Sequence, residues 1–162
     1  MILAFDDGPT ELTHDILKIL QEYEAIACFF IVGSRTKGAE DTIRLIAQEH
    51  HEVGNHTMTH PYLTRLPATE IETEIRDCRD LLDDLTGKPP IAFRPPYVDY
   101  DARIIALANE LGHHEFWLAS SLGDYALGPD EIVAKAKGRP AVLLHEIPQT
   151  VEALPMILEA AA

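Results

Sequence analysis

The chain has 162 residues, with 13 Lys and Arg against 27 Asp and Glu, a formal net charge of −14, and 46% hydrophobic residues. That length suits one domain spanning residues 1–162, and the composition is that of a globular chain, not a disordered or fibrous one. No apolar run reaches the roughly 20 residues of a membrane span. The acidic balance speaks against nucleic acid and anionic membrane surfaces as partners, because both require a basic footprint.

The elements alternate along the chain. Ile2 to Phe5 is an apolar run. Glu11 to Glu24 places Leu12, Ile16, Leu17, Ile19 and Leu20 on one helix face, with Thr10 as its expected N-cap. Ile26 to Val32 is apolar throughout, as a strand covered on both faces should be. A helix over residues 39–50, a short strand Glu52 to Asn55 and a long helix over 68–85 follow. Gly87 and Pro89-Pro90 stop that helix. Then come Ile91 to Phe93, a helix from Ala102 to Leu111, a strand from Glu115 to Ala119, a helix over 130–137, the strand Ala141 to Leu144 and a closing helix from Val151 to Ala161.

Strand–helix units in this order wind around a parallel sheet. A complete eight-fold barrel takes about 250 residues. The expected fold is therefore α/β: a distorted, incomplete (β/α) barrel of about six to seven units, with a flat doubly wound sheet as the alternative. Ligands bind at the C-terminal strand ends of both.

Polar residues gather at those ends. The first strand runs into Asp6-Asp7-Gly8-Pro9, the third into Asn55-His56 and then His60, and the fourth into Arg94-Pro95-Pro96-Tyr97. Ser120 to Tyr125, including Asp124, follows the fifth, and His145-Glu146 ends the sixth. His56 and His60 share a face if the backbone between them is helical. Two histidines and one carboxylate of Asp6-Asp7 would leave a metal open to water and substrate. The alternative is a pair of solvated histidines beside an Asx-turn. His14, His50, His51, His113 and His114 read as surface residues. Cys28 and Cys78 lack C-x-x-C spacing and read as unpaired thiols. Met1 to Phe5 has no basic n-region or cleavage site, so no export signal is expected here: cytoplasmic as it stands, secreted if a leader was removed.

Taken together, these motifs resemble those of the polysaccharide deacetylases of carbohydrate esterase family 4. Ala4-Phe5-Asp6-Asp7-Gly8-Pro9 is similar to the family's first motif, and His56-Thr57-Met58-Thr59-His60-Pro61 to its second. Arg94-Pro95-Pro96-Tyr97, Asp124-Tyr125 and Leu143-Leu144-His145 resemble the remaining three, in order. The resemblance implies a divalent metal held by Asp7, His56 and His60, with zinc first and cobalt, nickel or manganese next. It implies Asp6 as general base, Arg94 holding Asp6, and the Tyr97 backbone N–H for the oxyanion. It implies His145, on the opposite wall, as general acid oriented by Asp124, with Leu143 and Tyr125 flanking the acetyl methyl. The implied substrate is an N-acetylated amino sugar: a chitin oligomer, peptidoglycan glucosamine or a small glycoconjugate.

Several positions depart from the family pattern. Tyr125 stands where Trp is usual, and Ser121 where an Asp is common. His50 replaces a helix-ending Gly. Val98 replaces a Gly, and because Val disfavours positive φ, the loop after Tyr97 is expected to change shape. The chain stops at Ala160-Ala161-Ala162, before a final strand that many relatives carry, which predicts an open barrel edge. Relatives acting on cyclic amides, ureides or acetylxylan, and a non-catalytic sugar-binding domain, are the alternative functions. The pattern leaves the oligomeric state open.

Overall fold

The computed structural model describes residues 1–161; Ala162 lies outside the described residues. Six strands form one parallel sheet: β1 Ile2–Gly8, β2 Ala27–Ile31, β3 Glu52–Asn55, β4 Ala92–Phe93, β5 Glu115–Phe116 and β6 Ala141–His145. Each is followed by a helix: α1 Thr13–Glu22, α2 Glu40–Gln48, α3 Ala68–Thr86, α4 Ala102–Glu110, α5 Pro129–Ala136 and α6 Pro148–Ala161. The spatial order is β5-β4-β3-β2-β1-β6. The sheet is a curled half-barrel of six β/α units, open between β5 and β6.

Strand periodicity decides between this barrel and a doubly wound sheet. Alternate side chains of a strand face opposite ways. Leu3, Phe5, Phe29, Ile31, Val142 and Leu144 join Ile16, Leu20, Ile43, Ile46, Leu82, Ile132 and Leu154 in one helix-side core. The intervening Ala4, Cys28, Phe30, Ala92 and Leu143 form a small separate cluster with Trp117. Helices thus pack on one face, and the other face curls around this small interior cluster. A further cluster of Leu63, Ile71, Ile75, Phe93, Ile104 and Ala108 seats α3 and α4.

Local chemistry sets the element ends. Gly87 adopts φ 73° and its N–H returns to the Asp83 carbonyl, ending α3. Asp101 caps α4 by accepting from the Ile104 N–H. The N-cap of α1 is Leu12, not Thr10. Thr10 is drawn away: its N–H and hydroxyl both donate to Glu146 Oε2, at 3.1 and 2.9 Å. β5 also stops at Phe116, short of Ala119. Its continuation is used differently, because the Trp117 and Ala119 carbonyls accept from Arg94.

Two of the histidines read as surface residues are buried. His51 is 7% exposed, and its Nδ1 accepts from the Ala27 N–H. His113 is fully buried and meets the Asn55 side-chain amide at 3.1 Å. Each answers a polar group that water cannot reach. Cys28 and Cys78 are free and buried. Among the described residues, no helix is long and apolar enough to cross a membrane.

Candidate active site

The two adjacent carboxylates reach one cleft because β1 is irregular. In a regular strand Asp6 and Asp7 would face opposite ways. The pairing with β2 instead slips between Phe5 and Gly8, and Asp7 takes φ 68°. Asp6 stays inside and Asp7 turns towards the mouth. A Cβ on Gly8 would meet the Glu146 carboxylate, and that side chain would have to shift.

Asp6 Oδ2 accepts from Arg94 Nε at 2.6 Å, and both side chains are only 4% exposed. Arg94 is fixed further by the Trp117 and Ala119 carbonyls at 2.9 and 2.7 Å. The other carboxylate oxygen, Asp6 Oδ1, is buried without a hydrogen-bond partner. Removing one partner of such a pair strands a buried charge, at a cost of about 3–5 kcal/mol.

His56 and His60 meet without a helix between them, which corrects the helical expectation. The segment is a loop with positive φ at Thr57 and His60. Asn55 makes the bend: its Oδ1 accepts from the Thr57 N–H, while its Nδ2 donates to the Ile75 carbonyl and faces His113 Nε2. His113, buried behind the loop, thereby completes the bonding of the residue that turns His56 inward.

Asp7, His56 and His60 place one ligand atom each within 4.8 Å of one another. Asp7 Oδ1 lies 3.0 Å from His60 Nε2 and 3.4 Å from His56 Nε2, yet it is a buried oxygen with no well-formed hydrogen bond. His56 Nδ1 bonds the Arg94 carbonyl at 2.7 Å, which puts its proton there and leaves Nε2 with a lone pair towards Asp7. This donor set fits a divalent ion of the zinc type. Burial pushes the Asp7 carboxyl up; where the facing nitrogens of His56 and His60 carry a proton in place of an ion, their hydrogen bonds and charge outweigh burial and hold the group well below the usual carboxylate range.

His145 ends β6, and β6 pairs directly with β1. The expectation of an opposite wall is therefore corrected: His145 neighbours Asp6 in the sheet. Its Nδ1 bonds Asp124 Oδ1 at 2.8 Å, and its backbone N–H donates to Asp124 Oδ2 at 2.7 Å. Asp124 is fully buried and also accepts from the Thr150 hydroxyl at 2.8 Å. Burial pushes the His145 pKa down, but the Asp124 hydrogen bond and charge, with Asp6 and Asp7 beyond, raise it overall. Burial likewise raises the Asp124 carboxyl, and the His145 and Thr150 hydrogen bonds bring it below its ordinary value.

Asp6, Asp7, His56, His60, Arg94 and His145 line a cleft of about 330 Å³ with Tyr97, Val98, Ser120, Ser121 and Tyr125. Tyr125 packs on the His145 ring at 4.2 Å. Leu143 lies beneath the cleft in the interior cluster rather than on its lining. Val98 does not avoid positive φ in the loop after β4: Tyr97 and Val98 hold φ 59° and 55°. The β-branched residue occupies a glycine-like conformation held by its surroundings. Thr150, Trp117 and Asn55 are parts of the site that pattern reading missed or passed over. Thr150 and Trp117 carry no local motif. Asn55 had a signal in its position just before His56.

Carboxylates, imidazoles and an arginine converging at the strand ends of a parallel half-barrel define a hydrolase-type centre. The comparisons agree. The sequence pattern of the family described as polysaccharide deacetylase matches residues 1–116. The chain belongs to the polysaccharide deacetylase family. It is 42% identical over 96 residues to the peptidoglycan-N-acetylmuramic acid deacetylase PdaC of Bacillus subtilis, covering 59% of this chain and 21% of that one. It is 31% identical over 174 residues to a peptidoglycan-N-acetylglucosamine deacetylase of Bacillus cereus, covering 97% of this chain and 63% of that one. A family 4 carbohydrate esterase from Streptomyces lividans, solved with acetate, superposes with a TM-score of 0.91 at 27% identity, over 98% of this chain and 85% of that one. The chain thus spans less than two thirds of the length of those two curated relatives.

Proposed function

We propose that the chain removes N-acetyl groups from an N-acetylated amino sugar, with Asp7, His56 and His60 holding a divalent ion, zinc first. The observation carrying this reading is the convergence, in one cleft, of an unpartnered Asp6 oxygen, the Asp124-bound His145 beside it in the sheet, and the cluster Asp7, His56 and His60. Such an ion, when bound, polarises an acetamide carbonyl and lowers the pKa of water.

The chain's own residues supply the rest. Asp6 Oδ1 has no other partner and takes the proton of the attacking water. Arg94 fixes Asp6 through Oδ2, so only Oδ1 serves as the base. The water oxygen bonds to the acetyl carbon, and the C–N bond then breaks. His145 gives the leaving nitrogen its proton from Nε2, while Asp124 holds Nδ1 and orients the ring. The products are acetate and a free amine. The Tyr97 N–H is the proposed oxyanion donor, and the Tyr125 ring flanks the acetyl methyl. The cleft volume suits a single sugar unit, with the rest of a polymer running over the rim. Peptidoglycan-type N-acetylglucosamine, the substrate named for the Bacillus cereus relative, is the first choice.

The test is a substrate panel with zinc-loaded protein: chitin oligomers, peptidoglycan fragments, acetylxylan and allantoin. Equimolar acetate and free amine from the first two support the reading. Turnover confined to acetylxylan or allantoin, or none on any of them, overturns it.

A further inference from the structure

The three side chains that face the proposed metal position are each steadied from behind by one hydrogen bond, and the partners differ in kind. His56 bonds a buried backbone carbonyl. His60 Nδ1 meets the Tyr97 hydroxyl at 3.2 Å. Asp7 Oδ2 accepts from the Tyr125 hydroxyl at 3.1 Å. The two tyrosines are 54% and 57% exposed. One comes from the turn after β4 and the other from the turn before α5, so two separate surface segments reach two different ligands.

Tyr97 is itself braced. Its ring stacks on Tyr62 at 3.9 Å with the planes 9° apart, and the Arg65 guanidinium covers the Tyr62 ring at 4.2 Å. A stack of this kind contributes about 0.5–1.5 kcal/mol. It matters here because the Tyr97 backbone sits at φ 59°, where an unbraced loop would relax.

We propose that the hydroxyls of Tyr97 and Tyr125 are positioning groups for the metal ligands, Tyr97 acting through His60 and Tyr125 through Asp7, with Tyr62 holding Tyr97. The inference rests on the metal reading of Asp7, His56 and His60. A ligating imidazole must present a lone pair, so the His60 proton belongs on Nδ1, and the Tyr97 oxygen is the acceptor that keeps it there. The Asp7 carboxylate offers two oxygens. Tyr125 occupies Oδ2 and commits Asp7 to bind through Oδ1 alone. This role is separate from the Tyr97 N–H and from the Tyr125 ring, neither of which needs a hydroxyl.

The experiment uses the whole chain stripped of metal. Zn2+ is titrated by calorimetry and Co2+ by its visible absorption, in the wild type and in Tyr97→Phe, Tyr125→Phe, Tyr62→Phe and Tyr62→Ala. Unfolding of the metal-free proteins is the control. Tyr97→Phe and Tyr125→Phe should each weaken Zn2+ binding by about tenfold, with metal-free unfolding temperatures unmoved. The Co2+ spectrum of Tyr125→Phe should change as Oδ2 becomes free to coordinate. Tyr62→Phe keeps the stack and should bind like wild type, while Tyr62→Ala should follow Tyr97→Phe. Wild-type affinity in both Tyr97→Phe and Tyr125→Phe overturns the inference and leaves the metal reading standing. A wild-type chain that takes up neither ion overturns the metal reading itself, and the inference with it.

Discussion

Asp6 and His145 occupy the same register position on the adjacent parallel strands β1 and β6. Neighbouring strands lie about 4.8 Å apart, so the proposed base and the proposed acid are set side by side by backbone hydrogen bonds alone. The slip in β1 just beyond Asp6 then frees Asp7 to face the histidines. One irregularity thus separates the proposed duties of two consecutive carboxylates, and each can be tested.

Asp6→Asn should retain zinc and lose about 10²–10⁴-fold in kcat, because an amide cannot accept the proton of water. Asp7→Asn should instead lose zinc affinity, since Oδ1 is its metal-facing atom. Metal content by elemental analysis, alongside kcat, separates the two. Zinc lost from Asp6→Asn and kept in Asp7→Asn would reverse the assignment.

His145→Ala should impair amide hydrolysis more than hydrolysis of an activated acetate ester, whose leaving group needs no proton. The Asp124 partnership raises the His145 pKa in the folded state. The protonated acid therefore persists above the ordinary value of about 6.5, and the basic limb of kcat lies at that raised value. Asp124→Asn should move the limb to lower pH. The same pair contributes stability that is fully present below about pH 6.5 and is lost as pH rises through the raised value. Equal losses on amide and ester, with an unmoved limb, would remove His145 as the acid.

His113 carries the opposite sign. Burial, aided by Arg79, lowers its pKa to about 4. The unfolded chain binds the proton near pH 6.5 and the folded one does not until about pH 4, so stability falls as pH drops through that window. The loss is on the order of 3 kcal/mol. His113→Gln keeps an acceptor for the Asn55 amide and cannot titrate. Urea unfolding at pH 7.5, 5.5 and 4.5 should show a shallower acid loss in this variant; parallel slopes would exclude His113 as the cause.

Val98→Gly should stabilise the chain. Val98 holds φ 55°, at a cost of about 1–2 kcal/mol for a residue with a Cβ. Glycine removes that cost and adds roughly 0.5–1 kcal/mol of backbone entropy loss. The expected net gain is a few tenths to about 1 kcal/mol, read as a rise of about 1–3 °C in Tm. A fall in Tm would mean that Val98 packing outweighs its backbone strain.

The sequence by itself determined the unit order, the parallel sheet and the set of strand-end residues. Those depend on hydrophobic period, chain punctuation and motif spacing, all local along the chain. Asp6, Asp7, His56, His60, Arg94, Tyr97, Asp124, Tyr125 and His145 were legible for that reason, and they line or back one cleft. What pairs with what was decided only by tertiary structure. The β1–β6 pairing put His145 beside Asp6 instead of across from it, because strand neighbours are set by the sheet's strand order and not by sequence distance. His113 left the surface because Asn55, far away in sequence, needed an acceptor where water is absent. Thr150 joined Asp124 because the first turn of α6 packs over a buried carboxylate. Val98 kept a glycine-like backbone because the surrounding turn holds it, and local preference is worth only a kcal/mol or two against that. Patterns along a chain report which face is buried; the hydrogen-bond partner of a buried polar group comes from elsewhere in the chain, and only the fold supplies it.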